Sequence, residues 1–279
     1  MTTTPPHGYV FDNENEHAAE QHRCLTAAYD PFTTRRLARL GVGPGARVLE
    51  VGAGGGSVAR WLAGRVVPTG SVLATDVTPR HLAPAPGLRV LTHDITADPL
   101  PENAFDVVHA RLVLLHLPGR LDVLRRLVAA LRPGGWLQLD EFDETTYGPL
   151  IPVGESGKAA RAAYGAYLDA KTALLESAGA ALTWGRDAAT ALHAAGLTDI
   201  DAEPEVQRWR ADSPGTALQI HNTRHLRDRF LAAGLTDEGL RAARAAMSHP
   251  DFLAASCLMY SVQGRKPGIA GRARADARV

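Results

Sequence analysis

Apolar residues fall along this chain in two rhythms. Short runs bounded by glycine, proline and polar residues read as buried strands. They alternate with stretches in which apolar positions recur every three to four residues, the spacing of a helix with one face on a core. The first run is 47–51, Arg-Val-Leu-Glu-Val, with Gly43-Pro44-Gly45 before it and glycines at 52, 54, 55 and 56 after it. From Ser57 the rhythm becomes helical, with Val58, Trp61 and Leu62 on one side. Further strands are predicted over 70–76, 88–91, 105–109 and 136–142. Between the last two, 119–132 places Leu121, Leu124, Leu127, Val128 and Leu131 on one helical face and stops at Pro133-Gly134-Gly135. A later helix, 186–195, ends at Gly196. Strands alternating with helices at this spacing predict a parallel, doubly wound α/β sheet, whose ligands bind outside the carboxyl ends of the strands.

Other stretches are not required by such a core. Residues 16–29 read as a helix, and Asp30-Pro31 as the N-cap and first position of a second one ending at Gly41. Residues 145–181 and 213–251 have helical patterns and read as insertions. The length suits one large domain carrying insertions. A formal net charge of zero with no basic stripe argues against a nucleic-acid binder. Cys24 and Cys257 match no metal spacing, so no metal is expected and a reduced, cytoplasmic protein is. No apolar stretch is long enough for a membrane span or anchor.

The glycine turn carries the candidate chemistry. Glycines there accept positive φ and let bare backbone approach a ligand, and the helix that follows points its unpaired N–H groups at it. A dinucleotide fingerprint wants a third glycine where this chain has Ser57. Asp76 ends the second strand at the spacing where a carboxylate meets ribose hydroxyls; a loop aspartate capping the next segment is the plainer alternative.

The spacing Glu50-x-Gly52-x-Gly54-x-Gly56 resembles motif I of the class I S-adenosylmethionine-dependent methyltransferases. The wording LEVGAGGGSVARWLA and HARLVLLHLP resembles actinobacterial small-molecule members. The resemblance covers about residues 45–145 and implies a Rossmann-like sheet of seven strands, the sixth over 197–209 and the last, antiparallel, over 257–263. It implies S-adenosylmethionine as cofactor, with Glu50, Gly52, Ala53 and Gly54 at the methionine end and Asp76 with Val77 at the ribose. Asp94 and Ile95 would take the adenine, and Ala110 with Arg111 would follow the fourth strand, the arginine pairing a cofactor carboxylate or Asp94. The corresponding division is 1–41 N-terminal helical cover, 42–144 cofactor-binding core, 145–184 helical insertion, 185–211 core helix and strand, 212–252 helical lid, 253–264 last strand and 265–279 disordered basic tail. Tyr9, Phe11 and Tyr29 either cover the site or only pack the core.

For a reaction that removes a proton from the acceptor, His116, His221 and Glu141 are the candidate catalytic groups, with Asp143 beside them. An imidazole of near-neutral pKa at His116 would suit a base or a positioning group. The fourth strand lacks the Asn/Asp-Pro-Pro-aromatic signature of adenine or glutamine N-methylation, and there is no Pro-Cys nucleophile for cytosine. The expected partner is therefore a small-molecule metabolite, probed on O, N or C, with a homodimer compatible with the reading. Two other readings stay open: a non-methyl reaction such as cyclisation on the same fold, and a non-catalytic binding protein.

Overall fold

The computed structural model describes residues 11, 16–145, 148–149 and 154–268. In chain order the elements are α1 (Ala18–Arg39), β1 (Arg47–Val51), α2 (Ser57–Val66), β2 (Ser71–Asp76), β3 (Leu88–Thr92) and β4 (Phe105–Arg111). A single 3₁₀ turn (Leu114–His116) follows, then α3 (Arg120–Ala130), β5 (Leu131–Asp143), β6 (Gly148–Pro149), α4 (Gly154–Ser177) and α5 (Trp184–Ala194). The remainder is β7 (Thr198–Glu205), β8 (Arg208–Arg210), α6 (Pro214–His225), α7 (Arg227–Ala232), α8 (Asp237–Met247), β9 (Leu253–Ala255) and β10 (Leu258–Arg265).

The main sheet has the order β3-β2-β1-β4-β5-β10-β7. β1 pairs in parallel with both β2 and β4, and β10 runs antiparallel between β5 and β7. The seven-stranded sheet with an antiparallel last strand is thus as expected. Because β1 is covered on both faces, its side chains feed two cores. Leu49 and Val51 join Leu124, Leu127 and Leu192 on one side, while Val48 joins Leu37, Leu62 and Val72 on the other. Chain order reverses between β1 and β4, which makes their carboxyl ends the switch point and the natural ligand crevice.

Three local readings need correction. No helix break occurs at Asp30-Pro31: α1 is continuous, with Pro31 inside it. Loss of one backbone donor at Pro31 is outweighed by the buried face of this helix, where Tyr29, Phe32, Thr33 and Leu37 are packed away. Polar anchors add to that face. Buried Arg36 donates to the Asp201 and Glu203 carboxylates of β7 at 2.6 and 3.0 Å, and Gln263 of β10 donates to the Arg36 carbonyl at 2.9 Å. Residues 197–209 form two strands, not one. Gln207 and Ser256 exchange hydrogen bonds, N–H to Oγ at 2.8 Å and N–H to carbonyl at 2.9 Å, and turn the chain into a second sheet of order β6-β9-β8. Finally, β5 begins at Leu131, and Pro133-Gly134-Gly135 lies within it at an irregularity opposite Phe105 and Val107.

Helices α4, α7 and α8 pack together on a separate apolar cluster that includes Tyr164, Tyr167, Phe230, Leu240 and Met247, whereas α5 packs on the sheet. Ser213 caps α6 by accepting from the Thr216 N–H. Tyr9 and the basic stretch 269–279 lie outside the described residues. Among the described residues no helix is long and apolar enough to cross a membrane.

Candidate active site

A cavity of about 770 Å³ opens at the switch point. Its floor is the turn after β1. Gly52 and Gly54 have φ of +64° and +51°, and a Cβ on Gly52 would lie 2.4 Å from Cγ2 of Val113. On Gly54 it would meet the His22 ring at 2.9 Å. Conformation favours glycine at both places, and at Gly52 space demands it as well. The turn is tied to β2 through Asp76, whose Oδ2 accepts from the Gly54 N–H and whose Oδ1 accepts from the Thr78 N–H, both at 2.9 Å.

Gly52, Ala53, Gly54, Asp76, Val77, Asp94, Ile95, Arg111 and His116 all line this cavity. Asp94 folds its own loop, Oδ1 accepting from the Thr96 N–H and hydroxyl at 2.8 and 2.6 Å. Arg111 does not pair with Asp94; it donates to Asp30 of α1 at 2.9 Å, and the same Asp30 oxygen accepts from Ser57 at 3.2 Å.

Glu50, Ala110, Glu141 and His221 are not among the lining residues. The β1–β4 register sets Glu50 opposite His109, and the Glu50 carboxylate meets His109 Nδ1 at 2.6 Å instead of facing the cavity. His109 Nε2 reaches Asp140 at 3.2 Å, so the ring is held between two buried carboxylates. Burial depresses the imidazole, but the Glu50 charge, the hydrogen bonds to both acids and the Asp140 charge together raise it to about 9. Ala110 is fully packed in β4. Glu141 turns its carboxylate to the loop after β4, accepting from the N–H groups of Leu114, Val113 and Leu115 at 2.8, 3.3 and 3.4 Å. Burial still pushes its acid up to about 8. His221, on α6, has Glu20 of α1 at 3.9 Å. His116 is buried in the wall, and burial first, then the Lys171 charge, holds it down to about 4, below the near-neutral value expected.

Several lining residues carry no sequence motif: His22, Leu25 and Thr26 of α1, His93, and Arg126 of α3. The three from α1 share a face at helical spacing, a signal visible in the sequence only once that face is known to meet the turn.

These buried groups make stability depend on pH. His109 and Glu141 both have folded-state pKa values above their unfolded ones. The His109 contribution is therefore full below about pH 6.5, that of Glu141 below about 4.5, and both are lost as pH rises through the folded values. The melting temperature should fall steadily from pH 6.5 to above 9, on the order of 3 kcal/mol being associated with His109 alone. His109→Gln should flatten that slope, and an equally steep slope in the variant would refute the assignment.

Comparison with known proteins places the chain. A family profile described as "Methyltransferase domain" matches residues 21–239. This chain belongs to that family. It is 35% identical over 134 residues to Methyltransferase str3 of Strobilurus tenacellus, covering 47% of each chain. It is 33% identical over 114 residues to the ubiquinone/menaquinone biosynthesis C-methyltransferase UbiE of Ectopseudomonas mendocina, covering 37% of this chain and 44% of the relative. The chain thus spans about half the length of the curated relatives it matches. Among solved structures it is similar in fold to Haemonchus contortus phosphoethanolamine N-methyltransferase 2 in complex with S-adenosyl-L-methionine, at a TM-score of 0.51 and 18% identity, over 88% of this chain and 52% of the other.

The family's cofactor is S-adenosylmethionine. The residues present fit it. The glycine cradle leaves space that a Cβ would fill, the Asp76 and Asp94 carboxylates at its edge are acceptors suited to ribose hydroxyls and an exocyclic amine, and Ile95 offers an apolar surface beside them.

Proposed function

We propose that this methyltransferase-family chain transfers a methyl group from S-adenosylmethionine to O, N or C of a small-molecule metabolite, in natural-product biosynthesis and in the cytoplasm. The observation that carries the reading is the convergence of the glycine turn, Asp76, Asp94–Ile95 and His116 on one cavity. The bound cofactor supplies an electrophilic methyl on a sulfonium. The chain's own residues bind, orient and exclude water, which is where most of the rate of an in-line displacement originates. Leu25, Leu112, Val113 and Leu117 make much of that wall apolar, as a small organic acceptor requires. Two of the matched proteins differ in the acceptor their names carry, carbon in one and nitrogen in the other, so likeness to them leaves the acceptor atom open. The two curated relatives named above are fungal and proteobacterial, and nothing in this reading depends on an actinobacterial origin.

His116 fits a positioning role better than that of a base. Its imidazole, held near pKa 4, stays neutral at pH 7 and is a weak proton acceptor, yet it keeps a donor and an acceptor nitrogen in the wall. Glu141 is occupied by three backbone donors and His221 lies away from the cavity, so neither is assigned proton transfer here. His116→Gln should keep turnover within several-fold of the unaltered enzyme, whereas His116→Ala should lower it by about 10–100-fold at unchanged cofactor affinity. A drop of about 10² or more in the glutamine variant would instead make His116 the base. The overall assignment is tested by following S-adenosylhomocysteine release against a panel of small phenols, amines and activated carbon acids. Release that tracks one acceptor class supports it; conversion of a panel member without release of S-adenosylhomocysteine would favour a non-methyl reaction.

A further inference from the structure

Along the carboxyl edge of the sheet, β3, β2 and β1 end in the loops assigned to the cofactor, and β4 ends in the turn that carries His116. β5 comes next and ends at Asp143, so Glu144 sits one strand further from the adenine loop than His116 does. The Glu144 carboxylate meets the Lys171 ammonium of α4 at 2.9 Å, and the two side chains are only 6 and 5% exposed. Lys171 stands in the middle of the buried face of α4, with Tyr164, Tyr167 and Leu168 before it and Leu175 after it. A charge there is tolerated only with its partner in place, and such a pair gains little over apolar residues of similar volume. Its presence points to a task other than holding the helix.

The chain leaving α4 connects this pair to the wall of the cavity. The Ala181 N–H donates to the Leu115 carbonyl at 2.8 Å, and one residue on the Leu182 carbonyl accepts from the Glu144 N–H at 2.7 Å. Arg120 of α3 closes the group, donating to the Leu114 and Gly179 carbonyls at 3.3 and 3.0 Å. The 3₁₀ turn of His116 is thus held by Glu141 on its N–H groups and by the segment after α4 on its carbonyl side. We propose that Lys171, paired with Glu144, is a positioning residue for His116, through which the helical insertion sets the acceptor wall of the cavity. The ammonium also acts on the ring directly, since after burial it is the Lys171 charge that opposes protonation of the imidazole. The other ionisable groups around the ring are Glu141 of β5 and Arg120 of α3, both bonded to its turn, and His225 of α6 across the Phe11 ring. A neutral imidazole keeps one donor and one acceptor nitrogen for the acceptor.

The inference rests on the positioning role given to His116, and two readouts separate the two. One is the titration of the His116 ring by NMR, which needs no acceptor. The other is the pH profile of turnover with a panel acceptor that the unaltered protein methylates. Lys171→Met/Glu144→Gln replaces the pair by neutral groups of similar size and should melt close to the unaltered protein. In it the His116 titration should rise from about 4 by roughly one pH unit, and the acid limb of turnover should rise with it. Affinity for S-adenosylhomocysteine at pH 8 should stay within about twofold, because the cofactor loops lie on other strands. Lys171→Met alone should act in the same direction, and it decides the matter if the double variant does not fold. Lys171→Arg, which keeps the charge, should leave the titration and the profile in place. Lost turnover and melting temperature with an unmoved His116 titration would reduce the pair to packing and overturn the proposal. A moved titration with an unmoved turnover profile would leave the hold of Lys171 on the ring standing, but overturn the role given to His116 and with it the acceptor task of the pair.

Discussion

Replacing Gly52 with alanine is expected to lower both the melting temperature and the affinity for S-adenosylhomocysteine. Two separate costs act at this position. A φ of +64° disfavours any L side chain by about 1–2 kcal/mol. The new methyl would also sit 2.4 Å from Val113 Cγ2, far inside contact distance, and the loop carrying Val113 cannot yield freely. Its backbone is pinned by the Glu141 carboxylate, and Leu112 before it already has a φ of +54°. The strain should therefore spread to the wall that carries His116. Calorimetry should show S-adenosylhomocysteine binding weakened more than about tenfold. Adding Val113→Ala removes the overlap but leaves the φ penalty, so the double variant should recover part of the loss. Full recovery would mean that the backbone conformation at Gly52 contributes nothing, and no recovery would mean that the Val113 contact is unimportant.

Asp76→Ala should weaken the cofactor by a comparable amount, for a different reason. The side chain does two things at once: it holds the turn through the Gly54 N–H, and its carboxylate faces the cavity at the place assigned to the ribose. Hydrogen bonds to a charged group are associated with about 1.5–3 kcal/mol, which is roughly 10–150-fold in the dissociation constant. Loss of the Gly54 acceptor adds to this, because it frees the turn. Asp76→Asn should fall between, since its single carbonyl oxygen can serve either the turn or the ligand but not all the partners of a carboxylate. An alanine variant that melts normally and binds S-adenosylhomocysteine as tightly as the unaltered chain would remove Asp76 from the ribose site.

What the amino-acid sequence shows of this molecule depends on how local each interaction is. β1, β2 and β4 are buried on both faces of a parallel sheet, so each appears as a short, mainly apolar run, broken in β1 by Glu50 and in β4 by Asp106 and His109, and the turns between them carry their own glycines and prolines. The glycine turn and Asp76 are legible for the same reason: conformation and ligand chemistry are encoded within one βαβ unit. α1 is the opposite case. Its burial depends on Arg36 meeting Asp201 and Glu203, and on its backbone carbonyls accepting from Gln138 and Gln263, all partners more than a hundred residues away. A helix fixed by polar anchors has no clean apolar stripe, so Pro31 reads as a boundary it is not. Glu50 illustrates a third case. Its residue type and place match a cofactor contact, and only the strand register reveals the His109 ring opposite it. The break between β7 and β8 likewise follows from Ser256, a distant partner that the alternation along 197–209 cannot announce.

The central claim is that the cavity at the β1–β4 switch point holds S-adenosylmethionine. Calorimetric titration of the unaltered protein with S-adenosylhomocysteine, repeated with NAD and with the Asp76→Ala variant, tests it most directly. The account predicts saturable one-to-one binding of S-adenosylhomocysteine, none of NAD at the same concentrations, and a marked loss in the folded variant. Saturable NAD binding, or no heat from S-adenosylhomocysteine with a folded protein, would contradict it.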